Sequence, residues 1–151
     1  MTLLFRFYQP SDFADLVEMA LALYREDPGG TMSSRQVAAT VAFAAKHPEQ
    51  LRIFIFADQD QVVGYSLAIS MWSSEFGGLT IHVDEMYVRP GFRGLAWGQR
   101  FLEELPFWWP EPVVALSLET TVDNVSAERF YRRAGFVPSG NRHWSKRLRS
   151  H

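Results

Sequence analysis

The chain contains no cysteine. Disulfides, cysteine-ligated zinc and a thiol nucleophile are therefore excluded, and a reducing compartment suits it. No apolar run approaches the roughly 20 residues that a bilayer-spanning helix needs. The opening MTLLFRFYQP carries Arg6 inside its apolar stretch and no small-residue cleavage site, so no signal peptide is expected. Excess positive charge is also missing: the net charge is -2, which argues against a protein held on nucleic acid by bulk charge. His47, His82, His143 and His151 lack zinc-ligand spacing. No serine sits in a nucleophile elbow. Neither the Walker phosphate loop nor the Gly-x-Gly-x-x-Gly fingerprint occurs. These absences set the expectation of a soluble, cytoplasmic protein with no metal, membrane or nucleic-acid partner.

What is present suits one domain over residues 1–151. The chain is 47% hydrophobic and 21% charged, enough apolar side chains for a sizeable core. The apolar, aromatic run 3–9 predicts a strand, closed by Pro10. Helical spacing from near Asp12 to Glu26 predicts a first helix, broken by DPGG at 27–30. Ser33 and Gln36 stand at capping-box spacing before a second helix over 34–46. Strands are expected at 51–57 and 62–70 around a polar turn, and a third at 79–88 after the loop 73–78. A helix over about 95–105, a proline-rich turn at 106–112 and a strand at 113–120 follow. Residues 124–135 predict a helix stopped by Gly135. Residues 142–148 predict a closing strand, with a small one at Phe136–Val137. The fold class is α/β (α+β): a mixed, mostly antiparallel central sheet of six to seven strands flanked by about four helices.

The stretch RPGFRGLAWGQRF, residues 89–101, stands apart. Small residues occupy every second position, at Gly94, Ala96 and Gly98. A helix starting there leaves its first amides without internal partners and brings roughly half a positive charge to that end. Phosphates are the usual guests of such a terminus. Arg93 and Arg89 add charge and directed donors. A tight strand-to-helix turn that serves packing alone would explain the small residues equally well.

The segment from Val88 to Gly98 resembles the pyrophosphate signature of the GCN5-related N-acetyltransferases, Arg/Gln-x-x-Gly-x-Gly/Ala after an apolar strand. Arg93 fills the first place and Gly98 the last. Ala96 stands where the central glycine is expected, a departure of one methyl group. Asn124, Ala127, Phe130, Tyr131, Gly135 and Phe136 are similar in type and spacing to the family's later block. The close resemblance covers about residues 79–137.

The resemblance implies a sheet whose fourth and fifth strands splay apart around acetyl-CoA, the co-substrate. Its pyrophosphate would meet the amides of Gly94, Leu95, Ala96, Trp97 and Gly98 beside Arg93. Its pantetheine arm would pair with the backbone of Met86, Tyr87 and Val88. Tyr131 matches the family tyrosine that gives a proton to the departing thiolate, and Asn124 caps its helix and touches the cofactor. A general base is expected on the strand 79–88, with Asp84 and Glu85 named first and His82 behind them. Strict alternation would put His82 and Asp84 on one face, Val83 and Glu85 on the other. The implied activity is direct acetyl transfer to a primary amine, of a small molecule on this reading, by a chain that pairs as a homodimer. A non-catalytic acyl-CoA-binding module on the same fold is the alternative. Trp72 is a candidate for shaping the acceptor site.

Overall fold

The computed structural model describes residues 3–149. Five strands form one sheet: β1 (Leu3–Phe7), β2 (Leu51–Asp58), β3 (Gln61–Ser73), β4 (Gly78–Val88) and β5 (Val113–Leu118). They lie in sequence order across the sheet. β1 to β4 pair antiparallel, while β4 and β5 pair parallel. The helices are α1 (Phe13–Glu26), α2 (Ser34–Lys46), α3 (Trp97–Glu104) and α4 (Val125–Arg133).

Alternating side chains give the sheet two apolar faces. Phe5, Phe54, Phe56, Ile81 and Val83 pack with Trp97 and Phe101 of α3 and, at the margin, with Phe130 and Tyr131 of α4. Ile53, Ile55, Tyr65, Leu67 and Tyr87 pack on the other side with Leu16, Met19 and Ala20 of α1 and Val37 of α2. The cap expected for α2 forms, with Gln36 N–H donating to Ser33 Oγ at 3.3 Å.

The sheet has five strands, where six to seven were expected. Residues 136–137 and 142–148 form no strand, and Trp144 and Leu148 are exposed. The physical reason lies in the pattern of 142–148. Arg142 and Lys146 alternate with Trp144 and Leu148 along one side, so neither side of the run offers an apolar face. α3 starts at Trp97 and not at 95, because Gly94 (φ +79°) and Ala96 (φ +63°) take the left-handed conformation and end the approach to the helix.

β4 holds a bulge. Leu67 of β3 pairs with Glu85 and Ala68 with Val83, which leaves Asp84 as the extra residue. The bulge inverts the alternation. Val83 faces α3, while Glu85 faces α1. His82 pairs with Ile69, two residues from Leu67 on β3, and so shares the Glu85 face. The grouping expected from strict alternation is therefore corrected: His82 goes with Glu85, and Asp84 is exposed at the kink.

Candidate functional site

Pairing between β4 and β5 ends at Val83 and Leu118. β4 runs on to Val88. Among the described residues no strand covers Asp84–Val88 on that side, so the sheet opens there. Which backbone groups line the opening follows from two bonds. Ser66 Oγ–H donates to Glu85 O at 2.8 Å, and Arg89 N–H donates to Val63 O at 2.8 Å. Glu85 and Arg89 thus turn their peptide groups toward β3. Alternation then turns the N–H and C=O of Met86 and Val88 into the opening, and those of Tyr87 away from it. Val88 O accepts from Arg93 Nε at 2.7 Å.

Above the opening, the chain turns through Gly94 and Ala96 into α3. The first bond closing this helix runs from Arg100 N–H to Ala96 O at 3.0 Å. Among the described residues no protein acceptor meets the amides of Gly94, Ala96, Trp97 or Gly98, while the Leu95 amide closes the turn over 93–94. A cradle of donors therefore faces outward at the positive end of a helix. The small residues have different reasons. A Cβ on Gly94 would meet nothing within 4 Å, so its glycine serves the φ of +79°. A Cβ on Gly98 would lie 3.1 Å from Phe130 Cζ and 3.4 Å from Met86 Cε, so this glycine lets α3 pack on α4 and β4. The Trp97 side chain belongs to the core, 2% exposed and stacked on Phe56. Leu95 is exposed.

The end of α1 ties both rims of the opening. Glu26 accepts from Arg93 Nη2 at 2.7 Å on the β4 rim. Asp27 accepts from Thr121 Oγ1 at 2.7 Å and from Asn124 Nδ2 at 3.2 Å on the β5 rim. Asn124 also caps α4, its Oδ1 accepting from Ala127 N–H at 3.1 Å. Tyr131, on α4, packs between Phe130 and Phe136. Burial, with the Asp27 charge behind it, pushes its phenol up to about 12. It keeps its proton at neutral pH.

On the α1 face, Glu85 is 8% exposed. Tyr65 Oη–H donates to its Oε1 at 2.8 Å and Tyr24 Oη–H to its Oε2 at 2.8 Å. Burial raises the Glu85 carboxyl above the usual carboxylate range, the two hydroxyls pull it back, and the charge on Asp84 adds to the rise. His82 Nδ1 lies 3.0 Å from Ser117 Oγ, bridging β4 to β5. Tyr24, Tyr65, Glu26 and Asp27 are absent from the candidates read in the sequence. Tyr24 fits the apolar spacing of α1 and Tyr65 the apolar run of β3, so each reads as core. Nothing local links them to a carboxylate 61 and 20 positions away.

Tyr131 and Glu85 therefore stand on opposite faces of the sheet, and the opening between β4 and β5 joins the faces. Trp72 does not take part. It pairs with Leu79 and lines a cavity of about 500 Å³ with Arg52 and Trp109, at the other end of β4. Among the described residues no group of three or more His, Asp or Glu side chains is placed to hold a metal ion. His151 lies outside the described residues. Among them, no helix is long and apolar enough to cross a membrane.

Residues 15–136 match the model of the acetyltransferase (GNAT) family. Solved structures share the fold at low identity. A possible acetyltransferase from Clostridium difficile 630 superposes with a TM-score of 0.82 at 14% identity, over 99% of this chain and 100% of that one. An integron cassette protein from the mobile metagenome of Cole Harbour Salt Marsh gives 0.77 at 27% identity, over 97% and 91%. An aminoglycoside N-acetyltransferase in complex with CoA gives 0.78 at 13% identity, over 97% and 95%. No curated protein matches the chain in sequence.

Proposed function

The chain belongs to the acetyltransferase (GNAT) family, and from that premise we propose that it moves an acetyl group from acetyl-CoA directly to a primary amine of a small molecule. The observation that carries this reading is the strand-free edge of β4 at Met86 and Val88, where only Arg93 meets the Val88 carbonyl, continuous with the unbonded amides of Gly94, Ala96, Trp97 and Gly98. An extended, amide-bearing chain that ends in a pyrophosphate fits that sequence of groups. The pantetheine arm would add to the edge as a strand does. The pyrophosphate would sit at the head of α3. Gly94, with open space around it, lets the ligand approach the backbone. Arg93 sits at this corner with its charge shared between Glu26 and Val88 O, so it orders the rim as well as attracting phosphate.

Acetyl-CoA supplies an activated thioester, whose C–S bond breaks as the C–N bond forms. The protein's part is positioning and proton handling. Tyr131 holds a proton for the departing sulfur on the α4 side. Glu85 stands on the α1 side as the base for the acceptor, with Asp84 beside it as an exposed anion that draws in an ammonium group. His82, bonded to Ser117, supports the junction of the strands. Asn124 fixes the start of α4 and so the height of Tyr131. The acceptor on this reading is a small cationic amine. Residues 1–151 act as one catalytic domain, in the cytoplasm and as a homodimer.

The test is thiol release from acetyl-CoA across a panel of primary amines, beside calorimetry with CoA. CoA is expected to bind, at least one amine to release thiol, and Tyr131→Phe to lower the rate on the order of 100-fold. Binding of CoA with no thiol release from any amine would favour the non-catalytic acyl-CoA module. No heat with CoA would end both readings.

A further inference from the structure

Glu85 presents a physical difficulty as a base. It is 8% exposed, and both of its carboxylate oxygens already accept a hydroxyl. Each oxygen could accept a second bond, but an ammonium group arriving from outside would have to share it with one of those hydroxyls. The two donors differ. Tyr65 is 0% exposed and lies within the sheet-helix core. Tyr24 is half-buried and sits at the end of α1, where a Cβ on Gly30 of the following loop would come within 3.7 Å of its ring. Of the two tyrosines on the carboxylate, only Tyr24 has a side toward solvent.

Resting on the acetyltransferase reading, we propose that Tyr24 is a catalytic residue of this site: its hydroxyl passes a proton from the acceptor's ammonium group to Glu85, while Tyr65 holds the carboxylate in place. One N–H bond of the ammonium breaks as an O–H bond forms on Tyr24 Oη. The original O–H of Tyr24 breaks as an O–H bond forms on Glu85 Oε2. The outcome is a neutral amine, an unchanged phenol and a protonated Glu85. A cation and an anion are replaced by two neutral groups, which a buried site favours. Glu85 returns its proton to water by the same route. The groups around Glu85 are Tyr24 from α1, Tyr65 from β3, Asp84 next to it on β4 and, on the same face of β4, His82. Asp84 is exposed at the bulge next to Glu85. Tyr65 is a positioning residue.

The experiment has two arms on the whole chain. In the first, Glu85 is titrated by NMR of isotope-labelled glutamate carboxyls, assigned with Glu85→Gln. Removing either hydroxyl takes a hydrogen bond from the charged form. Its midpoint should therefore rise by about one to two pH units in Tyr24→Phe and in Tyr65→Phe. In the second, pH–rate profiles use the amine that releases most thiol in the panel. Tyr24→Phe should move the acid limb upward and lower the plateau on the order of 100-fold. Tyr65→Phe should move the limb likewise with a smaller plateau loss. A Glu85 midpoint unmoved by both substitutions, or a Tyr24→Phe enzyme that keeps the wild-type plateau whatever its acid limb does, overturns the relay. If Tyr65→Phe does not fold, the half-buried Tyr24→Phe carries both arms. Loss of the broader reading shows elsewhere, as absent CoA heat or an unaffected Tyr131→Phe enzyme.

Discussion

Ala96 carries a backbone that its own side chain resists. Its φ of +63° and ψ of +18° place it in the left-handed region, which costs an L-residue about 1–2 kcal/mol. A glycine there escapes that cost but adds about 0.5–1 kcal/mol of freedom to the unfolded chain. Ala96→Gly is thus expected to stabilise the protein by about 0.5–1 kcal/mol, seen as a higher urea midpoint at unchanged m-value. A lower midpoint would show that the alanine methyl makes contacts that outweigh its strain. Gly98 behaves oppositely. Its neighbours are Phe130 and Met86 at contact distance, so Gly98→Val forces two helices apart. Overpacking of this kind costs about 1–3 kcal/mol, and the displaced α4 carries Tyr131 with it. The small residues of one motif are therefore small for separate reasons: conformation at Gly94, packing at Gly98.

Among the elements, β4 does most to assemble the site, and it was only partly legible in the sequence. Its extent, and the turn into α3 that follows it, are local features. The glycines and the arginine lie within a few positions of one another, the cap at Asn124 lies three positions from the amide it meets, and each acts on the backbone beside it. The bulge at Asp84 is not local. It appears only when β4 is laid against β3, and it decides that Glu85 meets Tyr24 and Tyr65 on the α1 face. A run of alternating residues holds no sign of which position will be skipped. The expected strand at 142–148 fails for the reverse reason, since strand-like composition without an apolar face does not secure a place in a sheet. For α4 the prediction is local again. Asn124→Ala removes the cap and the bond to Asp27, and should cost about 1 kcal/mol. Asn124→Asp keeps the cap acceptor but sets a carboxylate against Asp27, so it should not recover the full loss. Urea unfolding of the two variants checks the order.

Across the whole molecule, two buried carboxylates, Asp12 and Glu85, make stability vary with pH, and they act in opposite directions. Asp12 is 3% exposed, accepts two bonds from Arg6 at 2.8 and 2.9 Å, and is held below its usual range by that partner. Its contribution is present above about pH 4, the unfolded carboxylate value, and is lost as pH falls through its lower folded value. Glu85 has the reverse sign. Its folded carboxyl is raised by burial. Above about pH 4 the unfolded chain releases this proton before the folded one does, so stability falls as pH rises toward the folded value. At neutral pH the buried base is a net cost that function requires. Glutamine at this position could accept from one tyrosine and donate to the other with no charge to desolvate. Glu85→Gln is therefore expected to raise Tm at pH 7 by about 2–4 °C, the change that about 1 kcal/mol makes in a domain of this size, while acetyl transfer is lost. The gain should shrink to nothing below about pH 4, where the wild-type carboxyl is neutral in both states. A melting curve lowered by Glu85→Gln at pH 7 would mean that the tyrosine bonds to a charged Glu85 outweigh its desolvation, and that the carboxylate is there for stability and not for chemistry.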